Sequence, residues 1–133
     1  MEIIIDADVI IRAEKGGFDL KNWLAKHPDE DFALAAITVA ELWHGVERAT
    51  GSRRRTRVHF LEEVVLSLPI FSYTEEIAYV HAKLWAQLAA TGKMTGYYDL
   101  IVAATAVTRG SAVATFNTRH FSAVPGLKVI EPK

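Results

Sequence analysis

The feature that most constrains the fold is an alternation of short apolar runs with helix-like segments along the whole chain. EIIID at residues 2–6 and DFALAAIT at residues 31–38 have the side chains and the length of buried strands. Three further strands are predicted for PIFSY at 69–73, SAVATF at 111–116 and LKVIEP at 127–132. Strands that alternate with helices favour an α/β sandwich around a mostly parallel sheet.

Capping residues and glycines predict where the helices begin and end. Asp8 is predicted to cap the first helix and Thr38 to cap the third, because short polar side chains accept hydrogen bonds from first-turn N–H groups. Thr74 begins the most amphipathic helix, and Gly110 ends the next one. The apolar face of that amphipathic helix includes Trp85, whose spacing predicts packing against the core or in a partner's groove.

The size and charge of the chain limit its possible functions. The 133 residues suit one domain, 1–133, with a single core. A formal net charge of −1 excludes whole-molecule attraction to nucleic acid or to an anionic membrane, so such a partner must meet a local patch. The absence of cysteine excludes disulfides and thiolate metal sites. Acids within MEIIIDADVII argue against a signal peptide or membrane anchor, so a cytoplasmic protein is expected.

Three acidic residues follow predicted strands or open a predicted helix, and these are Asp6, Glu41 and Asp99. Carboxyl ends of parallel strands share one sheet edge, so the three side chains are expected to face the same crevice. Each acid alone is also explained by capping and by the helix macrodipole. Together, beside apolar neighbours, they would be costly and mutually repulsive unless a divalent cation neutralised them.

The type of cation follows from the available ligands. Carboxylate oxygens, no cysteine and no histidine pair at zinc-like spacing favour Mg²⁺ or Mn²⁺ over Zn²⁺. Waters on such a cation are natural nucleophiles for phosphodiester hydrolysis, and the cation also stabilises charge on the phosphate. The five histidines are scattered, which makes a histidine-based nuclease the weaker hypothesis.

At this point the motifs can be compared with a known family. IIIDADVII, ITVAELWHG and GYYDLIVAATA, followed by VATFNTRHFSAVPGLKVIEP, resemble in order and separation the PIN-domain nucleases, and in particular the VapC toxins of bacterial toxin–antitoxin pairs. The resemblance covers essentially the whole chain. It implies a compact three-layer α/β/α fold, a Mg²⁺- or Mn²⁺-dependent endoribonuclease, a homodimer, and inhibition by a small VapB-like antitoxin whose carboxyl-terminal segment covers the acidic site.

The resemblance also implies roles for individual residues. Asp6 and Asp99 would be the principal metal ligands, and Glu41 would help to hold the metal or its waters. The family commonly has a fourth acid where this chain has Asn117, which offers a neutral oxygen and would weaken a second metal or remove a base. Thr115 matches a hydroxyl residue often found beside this site, and it is equally well explained as an ordinary strand residue.

Several basic residues are candidate contacts to RNA or to the antitoxin. Arg53 and Arg54 belong to the main basic cluster, where cations at a helix start oppose the macrodipole and favour an anionic partner, although a solvated face explains them as well. Arg12 lies one turn beyond the first acid and could reach a phosphate. Arg119 and His120 are expected in a loop after the fourth strand, where RNA contact is plausible.

Two other functions remain open on the sequence. The first is a PIN-fold scaffold with weak catalysis that acts by binding RNA or a protein partner, and the asparagine at the fourth acidic position supports it. The second is a receiver-type phosphoacceptor domain, which also clusters acids at strand ends. It fits less well, because no lysine follows the AVATF run to meet a phosphoryl group.

Overall fold

The computed structural model describes residues 1–93 and 95–133, and over that part of the chain it has five strands and seven helices. In chain order these are β1 (Glu2–Ile5), α1 (Ala7–Glu14), α2 (Leu20–Ala25), β2 (Asp31–Ala35), α3 (Ala36–Glu47), α4 (Gly51–Leu66), β3 (Ile70–Phe71), α5 (Glu75–Ala90), α6 (Tyr97–Arg109), β4 (Ala112–Ala114), α7 (Thr118–Ser122) and β5 (Lys128–Ile130). No helix in the described residues is long and apolar enough to cross a membrane.

The strands form one sheet in the order β3-β2-β1-β4-β5, and all four neighbouring pairs are parallel. The central strand β1 divides the core, because successive side chains point to opposite faces. Ile3 and Ile5 pack with α1 to α4 on one face, whereas Ile4 packs with α5, α6 and α7 on the other. The predicted three-layer α/β/α sandwich with a parallel sheet is therefore confirmed.

Two predicted helix starts are wrong. The cap of α1 is Asp6 rather than Asp8, because Asp6 has extended backbone and its side chain accepts from the N–H of Ala7. Thr38 does not cap α3, because β2 leads directly into that helix at Ala36, and Thr38 is buried two residues further on. Both errors move the first turn of a helix closer to the strand before it, which brings its side chains nearer to the sheet edge.

The boundaries of the helices on the other face agree with the sequence. Thr74 caps α5 by accepting from the N–H of Ile77 at 3.2 Å. Gly110 ends α6 in the left-handed conformation, with φ of 67°, which glycine adopts at little steric cost. These two caps fix the ends of the helical pair that covers one face of the sheet.

Trp85 does not pack in the core of this chain, and its packing in a partner's groove stays a prediction. Its helix α5 buries His81 and Leu84 against α6, but Trp85 lies just beyond that contact and is 51% exposed. Its ring stacks on His81, with ring centroids 5.8 Å apart. Of the other two tryptophans, Trp23 is buried and Trp43 is half-buried.

Candidate active site

The fold brings the three predicted acids to the carboxyl edge of the sheet. Asp6 directly follows β1 and is buried, with 4% of its surface exposed. Asp99 lies in the first turn of α6. Glu41 lies in the second turn of α3 rather than the first, because that helix begins earlier than predicted. The carboxylates are close enough for Asp99 and Glu41 both to destabilise the ionised form of Asp6.

Asp6 is held in place from two sides. Its Oδ1 accepts from the N–H of Ala7 at 2.9 Å, and its Oδ2 accepts from the Thr115 hydroxyl at 2.9 Å. The N–H of Asp6 donates to the carbonyl of Ala114, which continues the pairing of β1 with β4 by one residue. This pairing places the fully buried Thr115 against the acid, so Thr115 belongs to the site rather than only to its strand.

A fourth acid, Asp8, lies in the same cluster, and sequence analysis missed it because it was interpreted as a helix cap. Both carboxylate oxygens of Asp8 lie 3.3 Å from the Thr115 hydroxyl oxygen, and Oδ2 accepts from the N–H of Phe116 at 3.1 Å. The signal was present in the sequence DAD after a buried strand. With the first aspartate as the cap, the second one falls in the first turn of the helix.

The acids raise one another's pKa values. Burial, with repulsion from Asp8, Asp99 and Glu41, raises the pKa of Asp6 to about 8 despite the opposing hydrogen bond from Thr115. Burial and repulsion from Asp99 and Asp8 raise the pKa of Glu41 to about 7. The site thus concentrates negative charge without a compensating cationic side chain at those two carboxyls.

One oxygen at this edge is buried without a hydrogen-bond partner. Glu41 Oε1 has none among the described residues, and such orphaned groups are rare in folded proteins. No three carboxylate or imidazole side chains in residues 1–93 and 95–133 lie close enough to form a ready-made cation site. The donor chemistry nevertheless fits a hard divalent cation, because all four acids offer oxygen and one buried oxygen lacks a donor.

Asn117, the predicted fourth member of the site, is oriented toward a histidine. Its side-chain Nδ2 lies 2.8 Å from His120 Nδ1, and that nitrogen lies 3.3 Å from Asp99 Oδ2. The backbone N–H of Asn117 donates to the Thr115 hydroxyl oxygen. His120, expected in a loop, lies in the short helix α7, so that prediction is wrong. His120 is the bridge between Asn117 and Asp99, and it was considered only as an RNA contact.

The predicted basic contacts fall at two different places. Arg12 lies in the last turn of α1, with its guanidinium carbon 3.9 Å from the centroid of the Phe116 ring. Arg119 is exposed in α7 and was wrongly expected in a loop. Arg53 and Arg54 lie at the start of α4, and Arg54 donates to the carbonyl of Val46 near the end of α3. Val46 lies five residues beyond Glu41 in that helix, which places it roughly 7–8 Å further along the helix axis.

The surroundings of the two α4 arginines differ. Arg53 lines a cavity of about 370 Å³ together with Arg48 and Arg57. Arg54 pairs with Glu47 at 3.2 Å, and both side chains are substantially exposed. The structure therefore places Arg12 against Phe116 and Arg119 in α7, whereas Arg53 and Arg54 lie at the start of α4.

Comparison with known proteins agrees with this geometry. The sequence model of the PIN domain family matches residues 3–127. Ribonuclease VapC1 of Rickettsia felis is 30% identical over 131 residues, covering 98% of this chain and 96% of the relative. The structure of VapBC-5 from Mycobacterium tuberculosis, described as a toxin–antitoxin system, has a TM-score of 0.79 at 28% identity and covers 98% of both chains.

A second solved structure agrees in fold. That of VapBC2 from Rickettsia felis, bound to a promoter DNA fragment, has a TM-score of 0.90 at 20% identity and covers 100% of both chains. The fold and its acidic edge define a PIN domain, and the similarity in sequence is to ribonucleases of one group within that class. The chain belongs to the PIN domain family and, within it, to the VapC ribonucleases.

Proposed function

We propose that this chain is an endoribonuclease toxin that needs a divalent cation and is neutralised by a VapB-like antitoxin. Its membership of a ribonuclease family supports RNA as the substrate. The observation that carries the cation requirement is the orphaned Glu41 Oε1 among acids that repel one another. A cation at this edge would relieve both the repulsion and the missing partner.

Each side chain at the acidic edge has a proposed role in binding the cation. Asp6 and Asp99 would hold Mg²⁺ or Mn²⁺, which when bound supplies an activated water and stabilises charge on the phosphate. Thr115 orients Asp6 by donating to Oδ2, so that Oδ1 and Oδ2 keep fixed directions. Glu41 would help to hold the cation or its waters through Oε1, to which no described group donates.

Other groups would act on the RNA strand. Arg12 lies against the ring of Phe116, whose N–H contacts Asp8, and its guanidinium would meet a phosphate oxygen of the bound RNA. Arg119 extends from α7. Their charges would draw the RNA backbone toward the acids, which by themselves repel it. The near-neutral chain therefore relies on these local cations for RNA binding.

The test compares the wild type with Asp99→Asn, which keeps side-chain volume and removes one charge. Induced expression in bacteria is expected to arrest growth for the wild type only, and the purified variant is expected to lose Mg²⁺- or Mn²⁺-dependent RNA cleavage. Asp29→Asn is the matched control, because Asp29 is exposed and outside the acidic cluster. Full cleavage by Asp99→Asn would contradict the proposal.

A catalytically weak scaffold is the second candidate, and the orientation of Asn117 favours it. Its amide contacts His120 rather than the acids, so this position adds no charge to the site. For a scaffold, wild type and Asp99→Asn should bind RNA equally and neither should cleave it. Gel-shift and cleavage assays on the same RNA distinguish the two functions.

The partners and location follow from the same proposal. Similarity to a toxin–antitoxin structure supports an antitoxin that covers the acidic edge. A homodimer is supported by aromatic side chains that are more than half exposed on neighbouring helices, among them Trp85 and Tyr97. We place the protein in the cytoplasm, where an RNA-cleaving toxin meets its substrate. Light scattering of the purified chain tests the dimer.

A further inference from the structure

Asp8 is built into the acidic edge as firmly as the predicted acids. The Thr115 hydroxyl lies 2.9 Å from Asp6 Oδ2 and 3.3 Å from both oxygens of Asp8, so one side chain stands between the two carboxylates. The N–H of Phe116 fixes Asp8 from a second direction, at 3.1 Å. The N–H of Phe116 occupies only part of the accepting capacity of a carboxylate, which is about four lone pairs.

The charge of Asp8 lies beside that of Asp6. The Thr115 hydroxyl is close to both carboxylates, so the two negative charges repel each other across it. The capping role is already filled, because Asp6 is the cap of α1. The macrodipole of α1 favours an acid at this first-turn position, but it does not require the side chain to lie at Thr115 and Phe116.

The short segment after β4 treats Asp8 and Asn117 differently. The N–H of Phe116 donates to Asp8, and the Thr115 hydroxyl oxygen lies 3.3 Å from it, whereas the Asn117 side chain turns to His120. The backbone N–H of Asn117 supports the Thr115 hydroxyl that lies between the aspartates. This segment therefore positions a carboxylate that comes from α1 and contributes no carboxylate of its own.

We propose that Asp8 is the fourth carboxylate of the cation site, where it supplies the negative charge that Asn117 lacks and holds the cation from the side of α1. The inference rests on the proposed function. Loss of this charge weakens cation binding, whereas the fold keeps its capped helix and its contact with Phe116, because an asparagine oxygen accepts from the same N–H.

The experiment measures Mn²⁺ affinity by calorimetry and unfolding temperature without metal for four proteins. These are the wild type, Asp8→Asn, the matched control Asp29→Asn, and the double variant Asp8→Asn with Asn117→Asp. Asp8→Asn is expected to weaken Mn²⁺ binding roughly 10-fold to 100-fold, as loss of groups around a metal commonly does. Its metal-free unfolding temperature should stay equal or rise, because repulsion with Asp6 is removed.

The double variant and the control test the role of the charge, and the wild type tests the proposed function itself. The double variant should recover much of the lost affinity, since the charge returns on the facing segment, and Asp29→Asn should bind like the wild type. Unchanged Mn²⁺ affinity in Asp8→Asn overturns this inference alone, as does a variant that fails to fold without metal or a double variant without recovery. A wild type that binds no Mn²⁺ overturns the proposed function as well.

Discussion

The two ends of helix α1 hold their charged residues in opposite ways. At its start, Asp6 and Asp8 face further acids, and their repulsion is not compensated by cationic side chains of the cluster. At its end, Glu14 accepts from Arg57 Nε at 3.0 Å, and Arg57 also donates to the carbonyl of Gly45 at 3.2 Å. The paired charges at the end of α1 stabilise the fold. The like charges at its start destabilise the metal-free fold and favour the binding of a cation.

The paired end depends on a close approach of two elements. A Cβ atom at Gly45 would lie 2.8 Å from nitrogens of the Arg57 guanidinium, which is closer than real contacts allow. Glycine at this point of α3 lets the guanidinium lie against the helix backbone. Glycine at position 45 lowers helix stability by about 1 kcal/mol relative to alanine, but it leaves room for the Arg57 guanidinium.

The largest expected difference comes from Asp6→Asn. We expect RNA cleavage to fall about 100-fold or more, because changes to groups merely around a metal already cost 10–100-fold. The same change should raise the metal-free unfolding temperature, since it removes a buried charge among like charges. Cleavage assays and thermal unfolding of one preparation measure both, and a fall in both quantities would indicate a purely structural aspartate.

Neutralising the other end should have the opposite sign. Glu14→Gln removes a charge-assisted hydrogen bond in which the glutamate is 13% exposed and the arginine 25% exposed. We expect the free energy of unfolding to fall by about 1.5–3 kcal/mol, the usual range for hydrogen bonds to charged groups. RNA cleavage per folded molecule should not change. Denaturant titration with a parallel cleavage assay checks both, and lost cleavage would mean that the two ends are coupled.

The acidic end should also control the response to pH. Because the pKa of Asp6 is raised to about 8 and that of Glu41 to about 7, the folded state holds protons that the unfolded state releases near pH 4. Metal-free stability should therefore fall as pH rises from about 4 to 8. Saturating Mg²⁺ or Mn²⁺ should flatten this dependence. A metal-free unfolding temperature that rises from pH 5 to pH 8 would contradict the prediction.

The smallest effect is expected for the surface arginines, which contact different parts of the domain. Arg12 lies against Phe116, whose N–H contacts Asp8, whereas Arg54 contacts Val46 near the end of α3. Arg12→Gln should weaken RNA binding about fivefold at 0.1 M salt, the loss expected for one phosphate contact to a single strand. Arg54→Gln is the matched control at the far end of α3, and it should leave RNA affinity unchanged. Gel shifts at several salt concentrations measure both. Equal losses would place RNA along both ends of the domain.

Sequence patterns predicted most of the fold because each strand is a short apolar run and most helix boundaries carry a local signal. The predictions failed where tertiary contacts determine the end of an element or the burial of a side chain. Thr38 has the chemistry of a cap, yet β2 ends early and buries it. Trp85 has the spacing of a core residue, but its exposed fraction depends on where the contact between α5 and α6 ends. The local sequence of one segment encodes neither the end of β2 nor the extent of that helix contact.

The site was predictable in composition and less so in its connections. Asp6, Glu41 and Asp99 were identified because acids after apolar runs are chemically conspicuous. Asp8 was missed because the helix cap was assigned two residues too late, to Asp8 itself, and capping accounted for its presence. The bridge from Asn117 to Asp99 depends on a histidine in a short helix, whose orientation no local spacing predicts.

The hydrogen bond from Thr115 to Asp6 joins residues 109 positions apart in the chain. During synthesis, the first acid leaves the ribosome long before the hydroxyl that orients it. Pairing of β1 with β4 must wait for the last fifth of the chain, and such distant pairings form late. Until β4 has been synthesised, the nascent chain has no assembled acidic edge. The chain is therefore inactive as a ribonuclease while most of it is being translated beside the ribosomal RNA.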